Sequence, residues 1–461
     1  MRFIFFYPPG DEEALETDKT SSPFAPPLGV LYLAGMLEEQ GHNVKVVDAR
    51  VEKITEEKLK TLVASADAVG VSIPTFSLKN AYRIIEMVRE IDKDIFIIGG
   101  GPHCFLFPKE TLSSLKMDAV VQGEGEKAMQ SLPNALKNHD LSMVPGIYYV
   151  DKDEIKKGKP LEVYENLDLI PFPPHHLTKK YDYGYISGFK PLKARFTAMI
   201  TSRGCPYRCK FCSRDLFIGR RYRQRSAKNV IEEIETIVDQ GYNGIIFVDD
   251  NFLLNKKRTM DIMDGIIKEE LDLTMIVEGA RVDNADPELY QKMYDAGVKL
   301  ISYGIESGNQ DVLDFYNKRI TLDQARYAVH LAHKTGFFTV ATFILGAPFE
   351  TKQHFKKTIE FASSLPLDFV EFYILEYRVG SQLWKEAASK GIIQKKEFFV
   401  KACRENNLGA FTLSELENWR KKAYIKFYLR PSYLLKEVMG LLKKGNIDLL
   451  KAGIPLMTKL K

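Results

Sequence analysis

The sequence predicts an α/β protein with an N-terminal doubly wound parallel sheet, a partial (β/α)6 barrel and a helical C-terminal tail. Three observations predict it. Apolar runs of strand length alternate with helical periodicities to about residue 150. Six more apolar runs recur ahead of helices between about residues 196 and 400. Lysine and arginine then crowd the end of the chain. The expected domains are 1–150 for the sheet, 151–195 for a linker, 196–400 for the barrel and 401–461 for a helical basic region. A chain of 461 residues suits two or three domains.

In the first domain, residues 2–7 read as a buried strand that ends at Pro8-Pro9-Gly10. Residues 28–40 have helical periodicity and stop at Gly41. Strands follow at 44–48 and 68–72, the second leading to a helix at 78–91. A fourth strand at 95–98 runs into Gly99-Gly100-Gly101-Pro102-His103, and a fifth at 119–122 into Gly123-Glu124-Gly125-Glu126. Parallel sheets of this kind bind ligands at the carboxyl ends of their strands. The Gly- and Pro-rich segments lie at those ends. A turn explains any one of them; together they also let a bulky ligand approach the backbone.

The expected linker is stiffened by Pro171, Pro173 and Pro174. His175 and His176 follow, but neighbouring side chains of an extended chain point to opposite faces, which argues against a shared metal. The barrel strands are expected at 196–201, 245–248, 274–278, 300–303, 338–345 and 369–375. Polar residues cluster at their carboxyl ends, where barrels of parallel strands carry their sites. These are Asp249-Asp250-Asn251-Phe252, Glu278 with Arg281, Gly304-Ile305-Glu306-Ser307-Gly308, and Gly346-Ala347-Pro348-Phe349-Glu350.

After the first barrel strand comes Gly204-Cys205-Pro206-Tyr207-Arg208-Cys209-Lys210-Phe211-Cys212, a CxxxCxxC run. Three thiolates this close can hold three irons of one 4Fe–4S cubane. No fourth Cys is near, so the last iron is left to a non-protein ligand. Zinc would want a second pair or a nearby His, and Cys104 and Cys403 stand alone. Five cysteines are an odd number for a disulfide framework. No cleavable signal peptide is read, so a reducing, cytoplasmic compartment is expected.

This cysteine run, with an aromatic residue before its last Cys and an apolar strand before it, resembles the radical S-adenosylmethionine (SAM) superfamily. Asp249-Asp250-Asn251-Phe252 and Gly304-Ile305-Glu306-Ser307-Gly308 match the subgroup that also carries a cobalamin-binding domain. The resemblance covers roughly residues 1 to 430. It implies that the open iron chelates SAM and that a 5′-deoxyadenosyl radical abstracts hydrogen from unactivated carbon. It implies SAM contacts among Asp249, Asp250, Asn251, Arg281, Glu306 and Ser307, with an acceptor near Asp249-Asp250 for the ammonium, Arg281 for the carboxylate and Glu306 for the ribose. For Asp249 or Asp250 a helix cap is the rival role.

The same resemblance assigns the first domain to cobalamin. Pro8, Pro27, Gly29, Ser72, Thr75, Gly99, Gly100, Gly101, Pro102, His103, Gly123, Glu124 and Glu126 would border the corrinoid, with its nucleotide tail near Ser72, Thr75 and Gly99 to Gly101. One departure matters. Domains that cap cobalt with a His carry DxHxxG after the second strand, whereas this chain reads Asp48-Ala49-Arg50-Val51-Glu52-Lys53. The lower face is therefore expected without a His from that motif. His103 is read as a hydrogen-bonding wall rather than a metal ligand.

The tail departs too. The family commonly has an aromatic residue, Pro, Gly and Thr after the sixth strand, where this chain has Tyr377-Arg378-Val379-Gly380-Ser381. From Asn418 on there are eleven Lys or Arg and two acids, net +9, so the rest of this +4 chain carries about −5. Residues 434–450 intermix leucines with lysines. They suit either peripheral contact with an anionic membrane through 418–461 or a helix packed on the barrel with a solvated basic face. No apolar run approaches a membrane span, and no nucleic acid is expected.

The expected function is a cobalamin-dependent radical SAM enzyme that methylates an unactivated carbon through methylcobalamin. One alternative is a cyclase or rearrangement enzyme with the same cofactors, acting on a lipid or other hydrophobic substrate. Another is a non-catalytic corrinoid sensor or carrier with a structural cluster, which leaves the polar barrel ends without a purpose. A methylthiolating enzyme would need a second cluster. An electron donor such as a ferredoxin or flavodoxin is implied, and no side chain is assigned as general base.

Overall fold

The computed structural model describes residues 1–13, 15, 23–214, 221–431 and 433–435. Most of the expected basic helix at 434–450 lies outside them. The chain divides into two compact units, Met1–Gly184 with Thr236–Gly241, and Tyr185–Glu235 with the chain from Tyr242 onward.

In the first unit, strands β1 (Arg2–Tyr7), β2 (Asn43–Asp48), β3 (Ala68–Ser72), β4 (Phe96–Gly100), β5 (Ala119–Val121), β6 (Ile147–Asp151) and β7 (Glu154–Lys157) form one sheet in the order β2-β1-β3-β4-β5-β6-β7. Pairing is parallel from β2 through β5. The antiparallel hairpin β6–β7 then extends the sheet past residue 150. The centre of the sheet is buried on both faces, as continuous apolar strands require: Phe3, Phe6, Val69, Val71 and Ile97 are at most 2% exposed. Helix Leu78–Ile91 buries Ala81, Ile84, Ile85 and Val88, one stripe of a 3.6-residue period. The order 2-1-3 reverses between β1 and β3, and the crevice for a ligand opens there, beyond the strand ends.

In the second unit, β8 (Phe196–Met199) is followed by two short strands, β9 (Ser202–Arg203) and β10 (Arg223–Gln224), which pair antiparallel. Strands β11 (Gly244–Phe247), β12 (Thr274–Ala280), β13 (Val298–Glu306), β14 (Phe338–Leu345) and β15 (Phe369–Ile374) continue from β8 as a six-stranded, all-parallel sheet in sequence order. Helices Ala227–Asp239, Lys256–Lys268, Pro287–Asp295, Leu322–Thr335 and Lys352–Ser364 connect them, as a partial (β/α)6 barrel requires. The Tyr303 and Tyr290 hydroxyls meet at 2.7 Å, locking helix Pro287–Asp295 onto β13. Tyr303 therefore faces the helices, and its neighbours Ser302 and Gly304 face the concave side. Beyond β15 a small antiparallel pair, β16 (Glu376–Arg378) and β17 (Phe399–Lys401), precedes helix Leu413–Tyr428. Among the described residues no helix is long and apolar enough to cross a membrane.

Candidate active site

The cysteine loop leaves β9 through Gly204. Its φ is +87°, and a Cβ there would lie 2.2 Å from the Arg221 carbonyl, so only glycine fits. The loop is pinned from three sides. Lys210 N–H donates to Tyr316 O (2.9 Å), Asn317 Nδ2 to Arg208 O (2.8 Å), and Leu383 N–H to Lys210 O (3.0 Å). Phe211, the aromatic residue before the last cysteine, packs edge-on against Tyr316 with ring centroids 5.2 Å apart. Cys205, Cys209 and Cys212 are free thiols, half-buried on one short loop.

Burial pushes the Cys209 thiol up, and the Lys318 and Arg281 cations pull it back. Burial also raises Cys205, against the same two cations. That donor set fits a cubane: soft thiolates with positive charge beside them. Among the described residues no three His, Cys, Asp or Glu converge on a single ion position. Cubane thiolates need no such convergence, because each takes its own iron. Cys104 is fully buried in the first sheet's core and Cys403 is buried apart from the loop.

At the end of β11, Asp249 is 3% exposed and both its oxygens are engaged. It accepts from Thr201 N–H and Oγ1 (2.7 Å for the latter) and from Ser202 Oγ. Arg258 reaches the same Thr201 hydroxyl at 2.9 Å. Asp249 thus ties β11 to the root of the cysteine loop. Asp250 pairs with Arg214. Asn251 is buried and its Nδ2 lies 3.4 Å from Asn284. Ser307, fully buried, bonds Thr358 and the Asn309 N–H.

Arg281 presents its fork to Asp283, with Nε to Oδ1 and Nη2 to Oδ2 both 2.9 Å, and lies 3.5 Å over the Tyr207 ring. The expected partner for that fork was a ligand carboxylate; the chain supplies one two residues on. Glu306 has φ +74° and accepts from Lys318 Nζ at 2.7 Å, both side chains under 10% exposed. Sequence reasoning missed Lys318, Tyr207, Asp283 and Tyr316. Asp283 acts on Arg281 only through the local turn at Val282, and the contacts of Tyr207 and Tyr316 join segments far apart in the chain, so no sequence pattern marks them. Glu350 caps its own loop: Oε2 accepts from the Gly346 and Ala347 N–H groups, both at 2.7 Å.

In the first unit the expected residues gather at four adjacent strand ends. Pro8 follows β1, Ser72 and Thr75 lie at and after β3, Gly99 and Gly100 end β4, and Gly123, Glu124 and Glu126 follow β5. Pro27 and Gly29 open helix Leu28–Glu38. A Cβ on Gly100 or Gly29 would meet no atom within 4 Å, so the backbone is open there to a bulky group. Gly99 differs, since its Cβ would press on Met117 at 2.8 Å. Gly101, at φ +99°, turns the chain into the short helix Pro102–Leu106. His103 is buried, and that burial brings its pKa down to about 4, so it stays neutral. In place of a motif His, Arg50 is clamped by Asp48 at 2.9 and 2.7 Å and lies 4.6 Å over the Tyr7 ring. This open, glycine-lined edge fits a corrinoid. His175 is buried while His176 is exposed beside Glu38, so the pair does not converge.

Comparison with known proteins adds independent findings. Residues 199–362 match the Radical SAM superfamily, and residues 19–132 match the B12 binding domain. An uncharacterised methyltransferase of Pyrococcus horikoshii is 33% identical over 95% of this chain and 95% of its own. The anaerobic magnesium-protoporphyrin IX monomethyl ester cyclase of Rubrivivax gelatinosus is 29% identical, over 91% of this chain and 78% of its own. Among solved structures, the radical SAM methyltransferase TsrM of Kitasatospora setae, with cobalamin and a [4Fe-4S] cluster bound, superposes with a TM-score of 0.69. That match covers 84% of this chain and 75% of TsrM at 19% identity, which establishes a shared fold.

Proposed function

Because the chain belongs to the radical SAM enzymes that carry a cobalamin-binding domain, we propose that it methylates an unactivated carbon of a small-molecule substrate. It is a radical SAM enzyme of methyltransferase type, with a 4Fe–4S cluster, SAM and cobalamin as its cofactors. One observation carries the reading: a single chain holds a loop of three free thiols beside a barrel's polar strand ends and a separate glycine-lined parallel sheet edge. When bound, the cluster supplies an electron to SAM and the corrinoid carries the methyl group.

The chain's own residues hold and orient. Cys205, Cys209 and Cys212 ligate the cluster. Lys318 and Arg281 offset the charge of their thiolates. Tyr207, stacked under Arg281, and Phe211, packed on Tyr316, fix the loop between the cysteines. Asp250, Asn251 and Glu306 are the candidates for SAM's ammonium and ribose. Asp249 and Ser307 position the strand ends behind them. In the first unit Pro8, Ser72, Thr75 and the turn from Gly99 to Gly101 border the corrinoid.

Two further parts of the reading concern partners. The electron comes from a small carrier such as a ferredoxin or flavodoxin. The tail touches an anionic membrane surface; Ile425 and Leu429, one turn apart, are exposed beside the basic Lys421, Lys422 and Lys426. The function is tested by incubating the anaerobically reconstituted enzyme with a reductant, methyl-labelled SAM and a candidate extract. Labelled methyl in a product, detected by mass spectrometry, supports the reading. Release of 5′-deoxyadenosine with no label in any product contradicts it and favours cyclisation or rearrangement.

A further inference from the structure

Three cations border the cysteine loop without an acid to pair with. Among the described residues, Arg208, Lys210 and Arg319 form no ion pair, and Arg208 and Arg319 are exposed. Outside residues 418–461 the chain carries about −5, so a face of unpaired cations is a local exception. The two acids of the adjoining helix Gln310–Phe315 are engaged: Asp311 pairs with His354 at 3.0 Å, and Asp314 accepts from Gln310 at 3.0 Å.

Contacts join the three cations into one face. Asn317 bridges two of them. Its Nδ2 donates to Arg208 O at 2.8 Å, and its Oδ1 accepts from Arg319 Nε at 3.2 Å. Lys210 Nζ lies 5.3 Å from the centre of the Phe315 ring. The turn after that helix sorts its charges. Asn317 and Arg319 take left-handed φ values of +52° and +56°, with Lys318 buried on Glu306 and Arg319 in solvent.

The same face is packed without a gap onto the loop that holds the thiols. Phe349 is 43% exposed, and its ring meets Phe315 edge-on with centroids 5.3 Å apart. Phe315 lies 5.6 Å from Tyr316, and Tyr316 lies 5.2 Å from Phe211, the residue before Cys212. Reductive cleavage of SAM consumes an electron that no side chain supplies. Electron transfer falls steeply with distance, so the donor must sit against this loop.

We propose that this face docks a small acidic one-electron carrier protein, its carboxylates against Arg208, Lys210 and Arg319 and its apolar contact on Phe349. The inference deepens the radical SAM reading and rests on it. One electron leaves the reduced carrier, which becomes its one-electron-oxidised form, and the cluster is reduced by that electron; no bond or proton is exchanged. An aromatic contact ringed by cations suits such a partner, because complementary charge speeds encounter and fixes orientation.

The test uses the reconstituted full-length holoprotein with two reductants: reduced flavodoxin, which is acidic, and the methyl viologen radical cation. Stopped-flow absorbance reads the rate of cluster reduction without SAM, and calorimetry with oxidised flavodoxin reads binding. Arg208→Gln, Lys210→Gln and Arg319→Gln together should slow reduction by flavodoxin about tenfold or more at low salt and weaken its binding in step. Reduction by the viologen should be no slower than in wild type. Removing the same charge from other exposed positions, with Lys228→Gln, Lys268→Gln and Lys334→Gln, should change flavodoxin reduction less than about twofold. Arg208→Gln alone should give a smaller loss in the same direction, which keeps the test open if the triple variant does not load its cluster. Flavodoxin that neither binds nor reduces wild type, that acts equally on wild type and the patch variants, or that is slowed as much by the control changes overturns the docking face. Failure of wild type to load a cluster removes the radical SAM reading instead.

Discussion

Tyr428 closes the free edge of β15 by bonding Val370 twice: its Oη accepts from the Val370 N–H at 3.2 Å and donates to the Val370 carbonyl at 3.0 Å. Tyr424, four residues earlier on the same helix, does the same for Phe372 at 3.0 and 3.4 Å. Four helical residues rise about 6 Å and two strand residues about 6.6 Å, so the two hydroxyls stay in step with the edge. An open edge is thereby covered without another strand. Removing the hydroxyl in Tyr428→Phe strands a buried donor and acceptor and should cost about 1–3 kcal/mol. Lys421→Ala, on the exposed face, should stay within about 0.5 kcal/mol of wild type. Urea unfolding midpoints compare the two.

The Lys318–Glu306 pair should behave as a buried ion pair. Lys318→Met leaves the Glu306 carboxylate buried and alone, at an expected cost of about 3–5 kcal/mol. Adding Glu306→Gln should recover most of that loss. A double-mutant cycle in urea measures both; a Lys318→Met protein as stable as wild type would show that water already reaches the pair.

Glu350 predicts a pH dependence. Burial raises its carboxyl from 4.5 to about 7, even though the Gly346 and Ala347 N–H groups pull it down. The folded protein thus binds this proton more tightly than the unfolded chain. Its contribution favours folding fully below about pH 4.5 and is lost as pH rises through about 7. Glu350→Gln keeps an acceptor for both N–H groups but cannot ionise. Relative to that variant, wild type should lose about 3 kcal/mol between pH 4.5 and 8. Parallel stability curves would contradict the assignment.

Much of the fold was legible because apolar strands declare themselves. The central strands of both sheets were read within a few residues. The β6–β7 hairpin was not, because Glu154–Lys157 is polar, exposed and short, the composition of an edge. The cysteine loop was legible because its chemistry lies in covalent spacing. Arg281 was found by residue type, but its partner depends on how the chain turns at Val282, which lets Asp283 fold back on it. Alternation assigns faces to a strand; only closure of the sheet makes one face concave.

The tail reading is tested by co-sedimentation of the full chain, and of a truncation after Glu417, with anionic and neutral vesicles. The full chain should partition to anionic vesicles and be released by salt, since screening acts within about a Debye length. Equal partitioning to both vesicle types, unaffected by salt or truncation, would leave only the packing of helix Leu413–Tyr428 on β15.

The central claim is that the loop from Cys205 to Cys212 holds the cluster on which the chemistry depends. Iron and sulfide content after anaerobic reconstitution tests it most directly. Wild type and the Cys104→Ala, Cys403→Ala variant should each hold about four irons per chain, the content of one cubane. The Cys205→Ala, Cys209→Ala, Cys212→Ala variant should hold none above background, and retention of about four irons by that variant would contradict the account.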